Sequence, residues 1–250
     1  MDNNVRRIGV LGPPVNVALE RELPRYLPDG VVMNHNRLSR PEAALTKESL
    51  VAMGESAMRA ARDLAMARPE VIVYACTSGS FLDGIGNEAR IAERITALTG
   101  IPAVTTSTAV VEALRAIRAR SVFMVTPYPE DVNEHELAFL AHYGFEVPSY
   151  DSFRCQVSAE ILAITSEQVA AMVLRNRERA LSCDAVFVSC TNLLTLDQVE
   201  HLEEELGLPV VTSNQASLWA ALRRLSIATG GIACGRLFRL DESRAMPAVS

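Results

Sequence analysis

Cys76 and Cys190 stand 114 residues apart in a chain of 250, and each is followed by small polar residues, Thr77-Ser78-Gly79-Ser80 in one case and Thr191-Asn192 in the other. A free thiol ionises near about pH 8.5, and backbone N–H groups that stabilise the thiolate draw that value down. Each loop therefore reads as a setting that makes a thiol useful as acid, base or nucleophile. Two such thiols on opposite sides of one small molecule could attack or deprotonate a carbon from one face and protonate from the other. That chemistry suits racemisation or double-bond isomerisation without metal or cofactor. Cys155, Cys183 and Cys234 lack this setting and read as small buried apolar side chains. Five widely spaced cysteines, with no Cys-x-x-Cys pair and no nearby histidines, support neither a zinc site nor a disulfide framework.

The elements that must position these thiols are legible as short apolar runs ending in turn residues. Ile8 to Leu11 runs into Gly12-Pro13-Pro14, Val71 to Ala75 into Cys76, Val122 to Val125 into Thr126-Pro127, and Ala185 to Val188 into Ser189-Cys190. They are too short for helices and do not alternate, which fits strands buried on both faces. Helical segments are expected over 42–67, 88–98, 133–142 and 166–181, with another beginning near Thr195-Leu196-Asp197. Strands alternating with helices predict an α/β protein with parallel sheets.

The two halves look like copies. At a spacing of 114, Pro13 matches Pro127, Glu22 matches Glu136, Gly30 matches Gly144, and Cys76-Thr77 matches Cys190-Thr191. Beyond the cysteines the spacing falls to 107, where Gly100 to Thr105 mirrors Gly207 to Thr212. A period this long excludes a solenoid. It predicts two similar lobes about a pseudo-two-fold axis, the first from residues 5–114 plus 215–228, the second from 115–214, and a tail over 229–250 expected to be partly ordered at best. Ligands of open α/β sheets bind outside the carboxyl ends of the strands. Two lobes facing each other would then hold one thiol on either side of a cleft.

Composition narrows the partners. With 49% apolar and 22% charged residues the chain is ordinary globular material. Twenty-four basic against 30 acidic side chains give a net charge of −6, which offers no field for nucleic acid. No apolar run has the length of a membrane helix, and the N-terminus has no signal-peptide pattern, so a cytoplasmic protein is expected. His35, His135, His142 and His201 follow no ligand spacing, and Glu203-Glu204-Glu205 reads as a solvated helix face.

The strand-Cys76-Thr77-Ser78 loop, Thr126-Pro127-Tyr128, Ser189-Cys190-Thr191 and Gly207-Leu208-Pro209-Val210-Val211 together resemble the aspartate/glutamate racemase superfamily, in the branch of maleate cis-trans isomerases and arylmalonate decarboxylases. The resemblance extends over residues 6–226. It implies that Cys76 adds to an alkene carbon and Cys190 supplies a proton to its neighbour. It implies also that Asn16 and Tyr128 hold substrate carboxylate, with Thr77, Ser78, Thr191 and Asn192 around it. A small carboxylate or dicarboxylate substrate, no cofactor and a homodimer go with it. Independently of family, charge that develops beside a carboxylate needs fixed hydrogen bonds where no metal is called for.

Simpler roles stand beside these: turn chemistry for Asn16, packing for Tyr128, helix capping for Thr77, Ser78 and Thr191. The sequence around Cys76 and Asp131-Val132-Asn133-Glu134 is closer to the decarboxylases, which carry glycine at the position of Cys76 and use the second thiol alone. No counterpart of the isomerases' second substrate asparagine is found in lobe two. The leading expectation is a two-cysteine isomerase or racemase, the alternative a decarboxylase using Cys190. A two-lobed binding protein is the non-catalytic possibility.

Overall fold

The computed structural model describes residues 5–40, 44–82 and 84–240. Eight strands form two parallel sheets of four. The first contains β1 (Arg6–Gly12), β2 (Val31–Arg37), β3 (Val71–Tyr74) and β4 (Ala103–Thr105), in the order β2-β1-β3-β4. The second contains β5 (Ser121–Thr126), β6 (Glu146–Ser152), β7 (Ala185–Val188) and β8 (Val210–Thr212), in the order β6-β5-β7-β8. Each order is the other shifted by four strands, so the duplication in the sequence is a duplication of topology. Strands β3 and β7 are fully buried, as their unbroken apolar character requires.

Matched residues do matched work. Gly100 and Gly207 each end a helix at φ 71°, the left-handed conformation in which glycine carries no Cβ penalty. Thr105 and Thr212 each cap the helix after the fourth strand of their sheet, accepting the N–H of Thr108 and Gln215 at 3.1 Å. Those helices, Thr106–Ala116 and Ser213–Arg224, pack on each other, and the Thr106 and Ser217 hydroxyls meet at 2.9 Å. The helices that follow the fourth strand of each sheet are thus joined.

Several expectations give way to side-chain chemistry. The predicted helix 42–67 is two helices, Lys47–Glu55 and Ala57–Ala65, and residues 41–43 lie outside the described residues. At the break, the Ser56 hydroxyl donates to the Met53 carbonyl and accepts the Ser39 N–H, both at 2.8 Å, a local alternative to the helical ladder. The segment 166–181 breaks likewise at Asn176, whose amide serves Met172 O and Asp151 Oδ2. Glu203 is buried, unlike its exposed neighbours Glu204 and Glu205, and accepts the N–H groups of Val210 and Arg236. It ties β8 to a short helix, Gly235–Phe238, whose Leu237 and Phe238 are fully buried. Residues 229–240 are therefore packed structure. The tail beyond 240 lies outside the described residues. No helix among the described residues is long and apolar enough to cross a membrane.

Candidate active site

Cys76 lies two residues beyond β3 and caps the helix Thr77–Phe81, its Sγ accepting the Gly79 N–H at 3.3 Å with Ser78 Oγ at 4.0 Å. A Cβ on residue 79 would stand 2.9 Å from that sulfur, so glycine is what lets the backbone approach it. Cys190 lies two residues beyond β7. Its φ of 108° is rare for a residue with a side chain, and costs of order 1–3 kcal/mol, compensated by surrounding bonds. Its N–H donates to Ser213 Oγ at 3.0 Å, and its sulfur accepts the Asn192 N–H at 3.4 Å and a hydrogen bond from the buried Tyr128 hydroxyl. Tyr128 is aimed from lobe two by its carbonyl, which accepts from Asn133 Nδ2 and Ser152 Oγ.

The two cysteine loops are bonded to each other. The Thr191 hydroxyl donates to the carbonyl of Ala75, the residue before Cys76, at 3.0 Å. Asn16 Nδ2 donates to the same Thr191 hydroxyl at 3.0 Å, while Asn16 Oδ1 accepts the Leu19 N–H. From the other side, Thr77 Oγ1 donates to Ser213 Oγ at 2.9 Å, so one hydroxyl joins Thr77 to the main chain of Cys190. Asn16, Thr77, Ser78, Tyr128, Thr191 and Asn192 are all buried around the two thiols. Asn16, Thr77 and Thr191 thus fasten loops and helices here. The second amide hydrogen of Asn16 and the buried Asn192 Oδ1, which has no hydrogen-bond partner among the described residues, are polar capacity that a ligand could use.

Electrostatics separates the thiols. The sequence leads one to expect lowered thiol pKa values; burial overrides the donor loops and pushes both up. For Cys76, burial is opposed by the Gly79 N–H, the Ser78 hydroxyl and the positive charge of Arg40. For Cys190, burial is opposed by the Asn192 N–H and the Tyr128 hydroxyl, and reinforced by Cys76 and Glu136, bringing it to about 12. Cys76 has the cation and is the better placed to be a thiolate. Cys190 is held as a thiol. Environments that separate two titrating groups in this way assign acid and base roles.

Two buried carboxyls stand behind the site, at the matched positions Glu22 and Glu136. Glu22 accepts the N–H groups of Thr195 and Leu196 and Asn214 Nδ2, and burial lifts its pKa to about 7. Among the described residues Glu136 accepts only from Ser189 Oγ, at 2.6 Å, and burial lifts it to about 8. Sequence reasoning missed Ser213, Arg40 and Gly79 as site residues. Ser213 had a signal, since it follows Thr212 in the 107-residue repeat. Arg40 lies outside every matched segment and had none.

The sequence profile of the arylmalonate decarboxylase family matches residues 8–238. Over 250 residues the chain is 34% identical to the maleate isomerase of Nocardia farcinica, spanning 96% of this chain and 98% of that protein. It is 32% identical to the arylmalonate decarboxylase of Bordetella bronchiseptica, spanning 94% and 97%. A Nocardia farcinica maleate cis-trans isomerase with one cysteine mutated to serine and a covalently bound succinylcysteine intermediate superposes with a TM-score of 0.86 at 29% identity, covering 95% of this chain and 99% of that one.

Proposed function

We propose a specific chemistry for a chain that belongs to the arylmalonate decarboxylase family: cofactor-independent isomerisation of a small unsaturated carboxylic acid, maleate-type, with Cys76 as nucleophile and Cys190 as acid and base. The observation that carries it is the opposed settings of two thiols whose loops are bonded to each other through Thr191 and Ser213. The Cys76 thiolate adds to one alkene carbon, and the electron pair moves onto the neighbouring carbon and its carboxylate. Cys190 gives its S–H proton to that carbon, leaving a succinyl thioether on Cys76. Rotation about the new single bond follows. The Cys190 thiolate then takes a proton back, the C–S bond breaks, and the trans acid leaves with the Cys76 thiolate restored.

The charge built during addition must be held by donors already in place, a task for the Ser78 hydroxyl and the side-chain amides of Asn16 and Asn192, with Tyr128 turning its hydroxyl from the Cys190 sulfur to the ligand; the single hydroxyl hydrogens of Thr77 and Thr191 are committed to Ser213 and Ala75 and hold the loops instead. Loss of one such donor typically costs about 2.7–4 kcal/mol of barrier.

A second reading, decarboxylation of a disubstituted malonate with Cys190 alone protonating the enediolate, is favoured by the strongly raised Cys190 thiol and the 32% identity to an arylmalonate decarboxylase. Incubation in D₂O with maleate, aspartate, hydantoins and arylmalonates separates the possibilities: fumarate marks an isomerase, deuterium exchange without carbon loss a racemase, CO₂ release a decarboxylase. Cys76→Gly sharpens the result. It abolishes isomerisation if Cys76 is the nucleophile, and spares or raises CO₂ release if decarboxylation is the activity.

A further inference from the structure

Cys76 and Cys190 follow equivalent strands, and the main chain keeps that equivalence up to the residue before each. Ala75 N–H donates to Leu11 O and Ser189 N–H to Val125 O, both at 2.8 Å, with donors and acceptors alike 114 residues apart. At the cysteines the equivalence ends. Cys76 is extended, with φ −145° and ψ 110°, and its N–H donates to Tyr74 O at 3.1 Å. Cys190 has φ 108°, and its N–H donates instead to Ser213 Oγ at 3.0 Å. The sulfurs diverge with the backbones. Cys76 Sγ accepts from Gly79, three residues on, whereas Cys190 Sγ accepts from Asn192, two residues on, and from the Tyr128 hydroxyl.

A residue with a side chain keeps a φ of this sign only where its surroundings impose it, so the loop of Cys190 needs a restraint that the loop of Cys76 does without. Ser213 supplies one. It is fully buried and is the first residue of the helix Ser213–Arg224, which fixes its place. Its Oγ accepts from the Cys190 N–H and from Thr77 Oγ1, which occupies both lone pairs of the hydroxyl. The counterpart of Ser213 at the 107-residue spacing is Thr106. Thr106 turns its hydroxyl to Ser217 and to Tyr74 O, the carbonyl that already takes the Cys76 N–H. Two matched helix starts thus treat two matched cysteines differently.

We propose that Ser213 is a positioning residue that breaks the symmetry between the thiols: its hydroxyl draws the Cys190 main chain out of the extended form found at Cys76 and so aims the Cys190 sulfur at Tyr128. This rests on the reading of Cys76 and Cys190 as the reacting pair, and deepens it by naming what makes one of two duplicated cysteines the acid. Without the bond to Ser213 the Cys190 loop relaxes toward the conformation of its counterpart, and the sulfur leaves Tyr128.

The test measures alkylation of each thiol by iodoacetamide without substrate, located by peptide mass mapping. In Ser213→Ala the Cys190 rate should rise about 10- to 100-fold, the range over which a strained conformer is depopulated once its restraint is gone, while the Cys76 rate changes far less. With maleate, kcat should fall about 100-fold and KM should change little, because Ser213 acts through Cys190 and not on the substrate. Ser213→Thr and Ser213→Val share one shape and differ in the hydroxyl, so this pair isolates the bond even where alanine leaves a destabilising gap. The threonine variant should approach the wild type in both measures, and the valine variant should follow alanine. An unmoved Cys190 rate in Ser213→Ala, equal changes at both thiols, or threonine and valine variants that behave alike would each overturn the assignment. A wild type that forms no fumarate while its Cys190 rate depends on the hydroxyl would retire the isomerase reading and leave Ser213 in place. Fumarate formation with a Cys190 rate indifferent to the hydroxyl would do the reverse.

Discussion

The hydroxyl of Thr191 donates to the carbonyl of Ala75 at 3.0 Å, so the loop that carries Cys190 hangs on the residue that precedes Cys76. The same hydroxyl accepts from Asn16 Nδ2. The relative placement of the two sulfurs thus depends on one side chain that itself carries no chemistry. Thr191→Val keeps the shape and removes both bonds. A buried carbonyl and amide left unsatisfied cost about 1–3 kcal/mol each. We expect lower thermal stability and a fall in kcat/KM of about 10- to 100-fold, since small misplacements of reacting groups are expensive. Activity equal to the wild type would refute the coupling.

Gly79 tests the approach of backbone to sulfur. Its hypothetical Cβ falls 2.9 Å from Cys76 Sγ, 3.0 Å from Met53 Cε and 3.2 Å from the Tyr74 hydroxyl oxygen. The Met53 methyl can swing aside; the sulfur is tied to the Gly79 N–H and must move with it. Gly79→Ala should cost about 1–3 kcal/mol of stability through overpacking and reduce kcat by about 100-fold or more. A folded variant with undiminished kcat would show that the Cys76 sulfur does not need this backbone contact.

The matched carboxyls give a pH prediction. Glu22 and Glu136 keep their protons in the folded protein to about 7 and about 8, against 4.5 for an ordinary glutamate. Between those limits the native state holds protons that the unfolded chain has released, so stability from these groups is complete below about pH 4.5 and declines as pH rises through the folded values. Each pH unit of difference is worth about 1.4 kcal/mol per group. Urea unfolding from about pH 5 to 8 should show this decline. Glu136→Gln, which can still accept from Ser189, should flatten it. An unchanged slope in that variant would mean Glu136 is ionised throughout.

Much of the site was written in the sequence because duplication writes things twice. Cys76 and Cys190, Thr105 and Thr212, and Gly100 and Gly207 each hold the same place in both halves, and matched residues of these types seldom arise from composition alone. The repeat also paired Glu22 with Glu136, though not their burial, which depends on distant backbone amides for one and on Ser189 for the other. Arg40, whose charge acts on Cys76, was invisible for the opposite reason: it lies outside every matched segment and is held by a contact with Ser158 that no local periodicity encodes. Glu203 was misread because its partner, the Arg236 N–H, comes from a segment that lacks a pattern of its own. The helix breaks at Ser56 and Asn176 follow from side chains competing for main-chain partners, which a periodicity count passes over.

The division of labour between the sulfurs is tested most directly by trapping. Cys190→Ser removes the thiol that delivers and retrieves the proton while leaving Cys76 and the Gly79 N–H in place, so that water or the serine hydroxyl protonates the adduct and no thiolate remains to take the proton back. Incubated with maleate, quenched, digested and mapped by mass, the variant should carry one substrate-mass adduct on the peptide containing Cys76, with little fumarate formed. An unmodified Cys76 while maleate is still converted, or an adduct on a different cysteine, would contradict the account.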